Sequence, residues 1–190
     1  GLAVKKNNNE YELLNGNMTL TLLIYYMLKE WKGKEKINGR QFVVKTIVTT
    51  ELVRDIADKE GVDCFDVLTG FKYIAEKIRQ YEGKKEFIAG GEESFGCLVG
   101  DFVRDKDAVI SCSILAEMAA WAKNQGKTLY DVLIDIYMEY GFYKEHLISI
   151  TKKGQQGSEE INRMMQNYRN HPPKEINGSK VLKINDILLL

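Results

Sequence analysis

The sequence predicts an α/β fold in which short strands alternate with helices along the first half of the chain. The first observation is an apolar pattern at helical spacing from Asn17 to Gly33, which precedes a β-branched run at Phe42–Val48. The second is that two further strand-like segments continue the same alternation. Such alternation is typical of parallel strands joined by helical crossovers. We therefore expect a three-layer α/β/α sandwich around a small mixed, mostly parallel four-stranded sheet.

Each element is predicted from its apolar spacing and from the residues that begin and end it. Asn17 is the predicted N-cap of the first long helix and Gly33 ends it. Thr128 and Asp131 have the spacing of a capping box. The predicted elements are a strand at 1–4, helices at 17–33 and 50–61, strands at 42–48, 63–68 and 86–89, and helices at 71–83, 107–125 and 128–141.

The section after residue 145 has a different pattern. A strand at 146–151, a flexible turn at 154–157, a helix at 158–169 and a strand at 181–184 are predicted there. One helix with two strands cannot cover both faces of a sheet, so this section is expected to be an incomplete domain.

Three parts of the chain follow from these elements. Residues 15–141 are predicted to form a complete α/β domain, residues 1–14 the tail of a preceding domain, and residues 142–190 a linker strand with the incomplete start of a following domain. The first residue, Gly1, and the apolar end at 187–190 lead us to expect a piece of a longer protein.

The composition argues against several classes of function. The 190 residues carry 27 basic and 27 acidic side chains, so no basic excess attracts nucleic acid or an anionic membrane. No apolar run reaches the roughly 18 residues of a membrane span. Three separated cysteines and two histidines form neither a disulfide set nor an obvious metal site. We expect a cytoplasmic protein with no metal ligands in this chain.

Ligands of open α/β sheets bind beyond the carboxyl ends of the strands. Three loops are candidates there, at 69–72, 90–96 and 102–107. The loop at 90–96 is the richest, because its glycines allow close approach of a ligand. Its Glu92 and Ser94 offer the acceptors and the donor that neighbouring sugar hydroxyls require. The alternative is a solvated acidic turn after an edge strand.

The other two loops have both a functional and a structural interpretation. Thr69, Gly70 and Lys72 open a helix, whose free amides suit polar or anionic ligands, although ordinary capping explains them too. Arg104 and Lys106 are suited to binding a phosphate, and Lys106 is also a candidate for proton transfer. The alternative for both cations is a surface ion-pair cluster that contributes little.

Taken together, these loops resemble a known enzyme family. The order Thr69-Gly70-Phe71-Lys72, Gly91-Glu92-Glu93-Ser94-Phe95-Gly96 and Arg104-Asp105-Lys106-Asp107 resembles the third domain of the α-phosphohexomutases, the phosphoglucomutase and phosphomannomutase superfamily. The GEES form followed by RDKD is similar to the phosphoglucomutase branch. Each motif alone is weak evidence for the family. Their order and spacing together make the resemblance specific, and it extends over almost the whole chain.

The resemblance implies an enzyme that moves a phosphoryl group between the 1- and 6-positions of a hexose through a phosphoserine and a bisphosphorylated sugar. It implies that Glu92 and Ser94 grip ring hydroxyls and that Lys106 is catalytic, as an acid or base or as a phosphate clamp. The further substrate-binding residues that it implies are Thr69, Gly70, Gly91, Lys72 and Arg104.

The resemblance also implies Mg²⁺ and glucose 1,6-bisphosphate as cofactors of the full-length enzyme. The partners implied are a phosphorylated hexose and the remaining domains of the same chain. The phosphoserine, metal and phosphate loops of the family have no counterpart here, so the isolated chain is expected to be inactive and to bind no cofactor.

Three alternatives stay open. A phosphomannomutase is one, although the family loop often carries methionine at the place of Glu93 when mannose phosphates are used. The others are a phosphopentomutase and a non-catalytic binding module that retains the fold.

Overall fold

A small mixed sheet organises the first of two structural units. The computed structural model describes residues 1–187, and the chain divides into Gly1–Glu145 and His146–Leu190. In chain order the elements of the first unit are β1 (Leu2–Lys5), β2 (Tyr11–Leu14), α1 (Gly16–Gly33), β3 (Gln41–Thr46), α2 (Leu52–Lys59), β4 (Asp63–Val67), α3 (Phe71–Gln80), β5 (Glu86–Gly91), β6 (Cys97–Val99), α4 (Ala108–Asn124) and α5 (Leu129–Tyr140).

The strand order in the main sheet is β4-β3-β5-β6. Strand β3 pairs in parallel with β4 and with β5, whereas β6 is antiparallel to β5. The predicted mixed, mostly parallel four-stranded sheet is therefore confirmed. Strand β6 has three residues, too few for a recognisable apolar pattern, and the sequence does not predict it individually.

Side chains of β3 alternate between two apolar clusters, one on each face of the sheet. Phe42 and Val44 pack with Ile74 of α3, whereas Val43 belongs to the larger cluster with residues of α1, α2, α4 and α5. Helix α3 thus covers one face and the other helices cover the opposite face. The three-layer α/β/α arrangement follows from this division.

The residues that begin the helices agree in part with the sequence. Asn15 caps α1, since its Oδ1 accepts the N–H of Met18 at 2.9 Å, so the prediction of Asn17 was wrong by two residues. Asn17 instead accepts the N–H of Thr50 at 3.0 Å and ties α1 to the turn after β3. The predicted capping box of α5 is confirmed, because Thr128 and Asp131 bond each other's backbone N–H.

The second unit differs from its prediction. It contains α6 (Gly154–Asn170) and a hairpin of β7 (Glu175–Ile176) and β8 (Ser179–Lys180). The segments 146–151 and 181–184 are irregular, so both predicted strands were wrong. Leu147 is 85% exposed and Leu182 91% exposed, so these apolar segments have no buried strand position to occupy.

The predicted turn at 154–157 was also wrong, because these residues form the first turn of α6. Glycine and glutamine are both tolerated in the first turn of a helix. Lys153, the residue before α6, has an extended conformation. The last three residues of the predicted 142–190 section, including most of its apolar end, lie outside the described residues.

Burial on the α3 side of the sheet generates a stability prediction. Ile74→Ala should lower the free energy of unfolding by about 3 kcal/mol, because Ile74 is fully buried and its truncation leaves a cavity. Ile134→Ala is the control, since Ile134 of α5 is 41% exposed and should cost less than about 1 kcal/mol. Urea unfolding followed by tryptophan fluorescence measures both, because Trp31 and Trp121 lie in the first unit. Equal losses in the two variants would contradict the assigned packing.

Candidate functional site

The parallel pairing of β3, β4 and β5 brings their carboxyl ends to one edge of the sheet. These strands end at Thr46, Val67 and Gly91. The turn after β3, the turn before α3 and the loop after β5 therefore lie side by side. We call residues Gly91–Gly96 the GEESFG loop.

The GEESFG loop closes tightly on itself. The N–H of Glu92 donates to the carbonyl oxygen of Gly96 at 2.8 Å. A Cβ on Gly91 would lie 2.5 Å from that same oxygen and 2.9 Å from Cδ1 of Leu20. Because neither contact leaves room for a side chain, glycine at position 91 is required by the close approach of two backbones.

Glu92 joins the GEESFG loop to the start of α3. Its Oε1 accepts the N–H of Gly70 at 2.8 Å, and Gly70 has a φ of 115°, a conformation that favours glycine. The carboxylate therefore occupies the amino-terminal end of a helix, where free N–H groups and the helix dipole favour negative charge. Two separately predicted site residues are in direct contact here.

Lys106 and Glu92 both lie beside Gly96. A Cβ on Gly96 would lie 3.2 Å from Oε2 of Glu92 and 3.4 Å from Cδ of Lys106. The ammonium of Lys106 lies 5.4 Å from the centroid of the Phe71 ring and pairs with the exposed Asp105 at 3.5 Å, and its side chain is 57% exposed. The arrangement offers a hydrogen-bond acceptor and a cationic donor near the buried Gly96, which suits a polar, anionic ligand.

Two predicted contact residues lie at the exposed part of this edge. Ser94 is exposed at the tip of the GEESFG loop, and Thr69 is exposed directly before Gly70. Both hydroxyls belong to loops that Glu92 holds together.

Lys72 and Arg104 have other contacts. The ammonium of Lys72 lies 4.8 Å from the centroid of the Tyr73 ring. The guanidinium of Arg104 pairs with Glu82 at 3.2 Å. The hydrogen bond between Glu92 and Gly70 includes neither of these cations, so their assignment remains a prediction.

The side chain of Glu93 has a role that the sequence did not reveal. Its Oε2 accepts from Oγ1 of Thr46 at 3.1 Å and from Oγ1 of Thr49 at 3.2 Å. Ligands of open α/β sheets bind beyond the carboxyl ends of the strands, and the turn after β3 is also such an end. The same rule that indicated the three loops therefore also points to these threonines.

Gly16 supports the same residue from the side of α1. A Cβ on Gly16 would lie 1.6 Å from the backbone oxygen of Glu93, so only glycine fits. Both the main chain and the side chain of Glu93 are therefore held by neighbouring elements.

A buried lysine lies beneath the turn after β3. Lys45 is fully buried and pairs with Glu51 at 2.7 Å and with Asp66 at 2.8 Å. Burial alone would raise the pKa of Glu51, but Lys45 and Arg54 outweigh it and hold that pKa below its ordinary value. The carboxylate is thus ionised near neutral pH and compensates the buried ammonium.

A mostly apolar cleft of about 370 Å³ opens beside Phe95 and Lys106. Cys97 and Cys112 line it. Burial raises the pKa of the Cys97 thiol to about 11, so the thiol is protonated at neutral pH and is a poor nucleophile. Larger clefts in the second unit, of about 580 and 650 Å³, contain none of the predicted site residues.

Residues 1–187 contain no group of three or more His, Cys, Asp or Glu side chains that could hold a metal ion. Within the same stretch, no helix combines the length and apolar character needed to cross a membrane.

Comparison with known proteins identifies the family. A family model described as phosphoglucomutase/phosphomannomutase, alpha/beta/alpha domain III, matches residues 15–140. The chain belongs to the phosphoglucomutase/phosphomannomutase family. The family resemblance expected from the order of the three motifs is confirmed.

Curated phosphoglucomutases match nearly the whole chain. Those of Staphylococcus aureus strains USA300 and NCTC 8325 / PS 47 are each 37% identical over 188 residues, which cover 99% of this chain and 33% of the relative. The phosphoglucomutase of strain MRSA252 is 36% identical over the same length. This member of the phosphoglucomutase/phosphomannomutase family therefore spans about a third of the length of the curated relatives it matches.

Two solved structures share the fold. A putative phosphomannomutase from Thermus thermophilus superimposes with a TM-score of 0.57 at 22% identity, covering 73% of this chain and 28% of that one. The open form of the exocytosis-sensitive phosphoprotein pp63/parafusin, a phosphoglucomutase from Paramecium, gives a TM-score of 0.59 at 17% identity, covering 83% and 26%.

The contact of Gly16 with the GEESFG loop generates a second prediction. Gly16→Ala should lower the free energy of unfolding by about 2 kcal/mol, because overpacking against the Glu93 carbonyl outweighs the gain in helix propensity. Gly33→Ala at the other end of α1 is the matched control, since a Cβ there meets nothing within 4 Å. It should leave stability unchanged or raise it by up to about 1 kcal/mol. Urea unfolding of both variants is the measurement, and a neutral Gly16→Ala would refute the close contact.

Proposed function

We propose that this chain is the sugar-recognition domain of a phosphoglucomutase. The proposed reaction interconverts glucose 1-phosphate and glucose 6-phosphate through a phosphoserine and a bisphosphorylated sugar. The observation that carries the proposal is that Glu92, fixed by the N–H of Gly70, and the stem of Lys106 both lie beside Gly96. The curated phosphoglucomutases that are 37% identical over nearly the whole chain support it.

Glu92 suits a sugar that must bind in two orientations. A carboxylate presents about four lone-pair sites, and the N–H of Gly70 takes one on Oε1. The remaining sites can accept from two neighbouring ring hydroxyls, which exchange places when the ring turns end for end. Ser94, at the exposed tip of the loop, would add a donor or acceptor to the same hydroxyls.

Lys106 is the proposed catalytic residue. Its exposed ammonium can pair with a phosphate of the substrate or move a proton at the reacting oxygen. Its aliphatic stem packs beside Gly96, which positions the cation next to the hydroxyl-binding carboxylate. Thr69, Gly70 and Gly91 are proposed as further contacts of the sugar, and Lys72 and Arg104 as contacts from the margins of the site.

The proposal assigns phosphoryl transfer itself to the full-length protein. Mg²⁺ would supply charge neutralisation there, with glucose 1,6-bisphosphate as the second cofactor and the other domains as partners. The side chains among residues 1–187 do not fit a metal site, so recognition is the part proposed for this chain.

We propose domain boundaries after residues 14 and 141 and a cytoplasmic location, in keeping with the free thiols of Cys64, Cys97 and Cys112.

Glu92→Gln in the full-length protein tests the role of the carboxylate. The change keeps the shape and removes the charge, so kcat/KM for glucose 1-phosphate should fall about 30- to 100-fold, as expected when charge-assisted hydrogen bonds weaken. Glu76→Gln, an exposed carboxylate of α3, is the control and should retain wild-type kinetics. Unchanged kinetics of Glu92→Gln in a folded protein would remove this residue from the site.

A substrate panel separates the alternatives. The full-length protein should turn over glucose 1-phosphate with a higher kcat/KM than mannose 1-phosphate or ribose 1-phosphate, and the isolated 190-residue chain should turn over none of them. A preference for mannose or ribose phosphate would assign the protein to another branch of the family. Failure of the full-length protein on all three would favour a non-catalytic binding module.

A further inference from the structure

We propose that Thr46, Thr49 and Glu93 form a positioning bracket that holds the GEESFG loop in its binding geometry. The bracket is the cluster of three side chains whose oxygens contact one another between the turn after β3 and the loop. The inference rests on the proposed function, because it concerns how Glu92 is presented to the sugar. Glu93 and the two threonines act here through Glu92 and need no contact with the substrate.

The hydrogen bonds of the bracket tie the Glu93 side chain to both threonines. Oε2 of Glu93 lies 3.1 Å from Oγ1 of Thr46 and 3.2 Å from Oγ1 of Thr49, and the two hydroxyl oxygens lie 2.8 Å apart. The three side chains therefore form one closed cluster of hydrogen-bonding oxygens. Thr46 is fully buried and Thr49 is 3% exposed, so water competes little for these bonds.

Hydrogen bonds from a buried lysine hold the backbone of both threonines in place. The ammonium of buried Lys45 donates to the backbone oxygen of Thr49 at 3.3 Å and to that of Thr46 at 3.4 Å. The same ammonium pairs with Glu51 and Asp66. With Asn17 bonded to the N–H of Thr50, the turn is anchored to the sheet, to α2 and to α1.

The bracket positions Glu92 because it binds Glu93, the next residue in the chain. Glu92 and Glu93 are adjacent in the chain, but their carboxylates bind different elements. Glu93 binds the turn after β3, whereas Glu92 binds the start of α3. Release of Glu93 would free one side of the loop and reduce the fraction of molecules in which Glu92 lies at Gly70.

This reasoning predicts a specific kinetic signature. A site that is ordered only part of the time binds more weakly in proportion to its ordered fraction, and saturating substrate restores the order. Thr49→Val in the full-length protein should therefore raise KM for glucose 1-phosphate about tenfold and leave kcat within about twofold. Loss of folded protein alone would instead lower the apparent kcat at an unchanged KM.

Two companion variants make the test selective. Thr49→Ser keeps the hydroxyl and should return KM to near the wild-type value. Thr21→Val removes the hydroxyl of another threonine that is 1% exposed, in α1, which takes no part in the hydrogen bonds of the bracket, and should leave KM unchanged. A raised KM in Thr21→Val, or no rescue by Thr49→Ser, would overturn the inference.

Hydrogen–deuterium exchange of the full-length protein without substrate provides a second readout. Peptides that contain the Gly70 and Glu92 amides should exchange faster in Thr49→Val and return to wild-type rates in Thr49→Ser, because both amides are bonded within the site. If no mutase activity is found, the proposed function fails while exchange still tests the bracket. Wild-type exchange in Thr49→Val would overturn the bracket regardless of activity.

Discussion

The parallel pairing of β3 with β4 and β5 is the constraint on which the rest of the first unit depends. It places three strand ends at one edge and requires a helix between each pair of strands, so α2 and α3 cover opposite faces. The start of α3 then lies beside the GEESFG loop, and one hydrogen bond from Gly70 to Glu92 connects them. The candidate site is a consequence of sheet topology as much as of its own residues.

Neighbouring carboxylates in the loop serve different purposes because their surroundings differ. Glu92 accepts from an N–H at a helix amino terminus, whereas Glu93 accepts from two buried hydroxyls. A buried cation, Lys45, underlies the second environment, and paired carboxylates compensate it. Burying Lys45 costs free energy, and the ion pairs that offset this cost also define the turn next to the site. The effect is therefore local rather than a general contribution to stability.

Much of the first unit was predictable because its signals are local. The β-branched run of β3, the capping box of α5 and the order of the three motifs each depend on residues close in sequence. The contacts of Glu93 with Thr46 and of Gly16 with the loop join residues that are far apart in sequence, and no local pattern contains them. Apolar segments such as 146–151 and 181–184 resemble strands, but a strand also needs a partner, which periodicity does not reveal.

The fit of Gly16 against the Glu93 carbonyl also bears on how the family can diversify. In sequence, the first turn of α1 and the GEESFG loop are separated by more than half of the residues of the first unit, yet they are in van der Waals contact. A loop transplanted from a relative would be accepted only if its backbone follows the same path over this glycine. Sequence change at either position is therefore coupled to the other, and the two segments should be exchanged together in any chimeric protein.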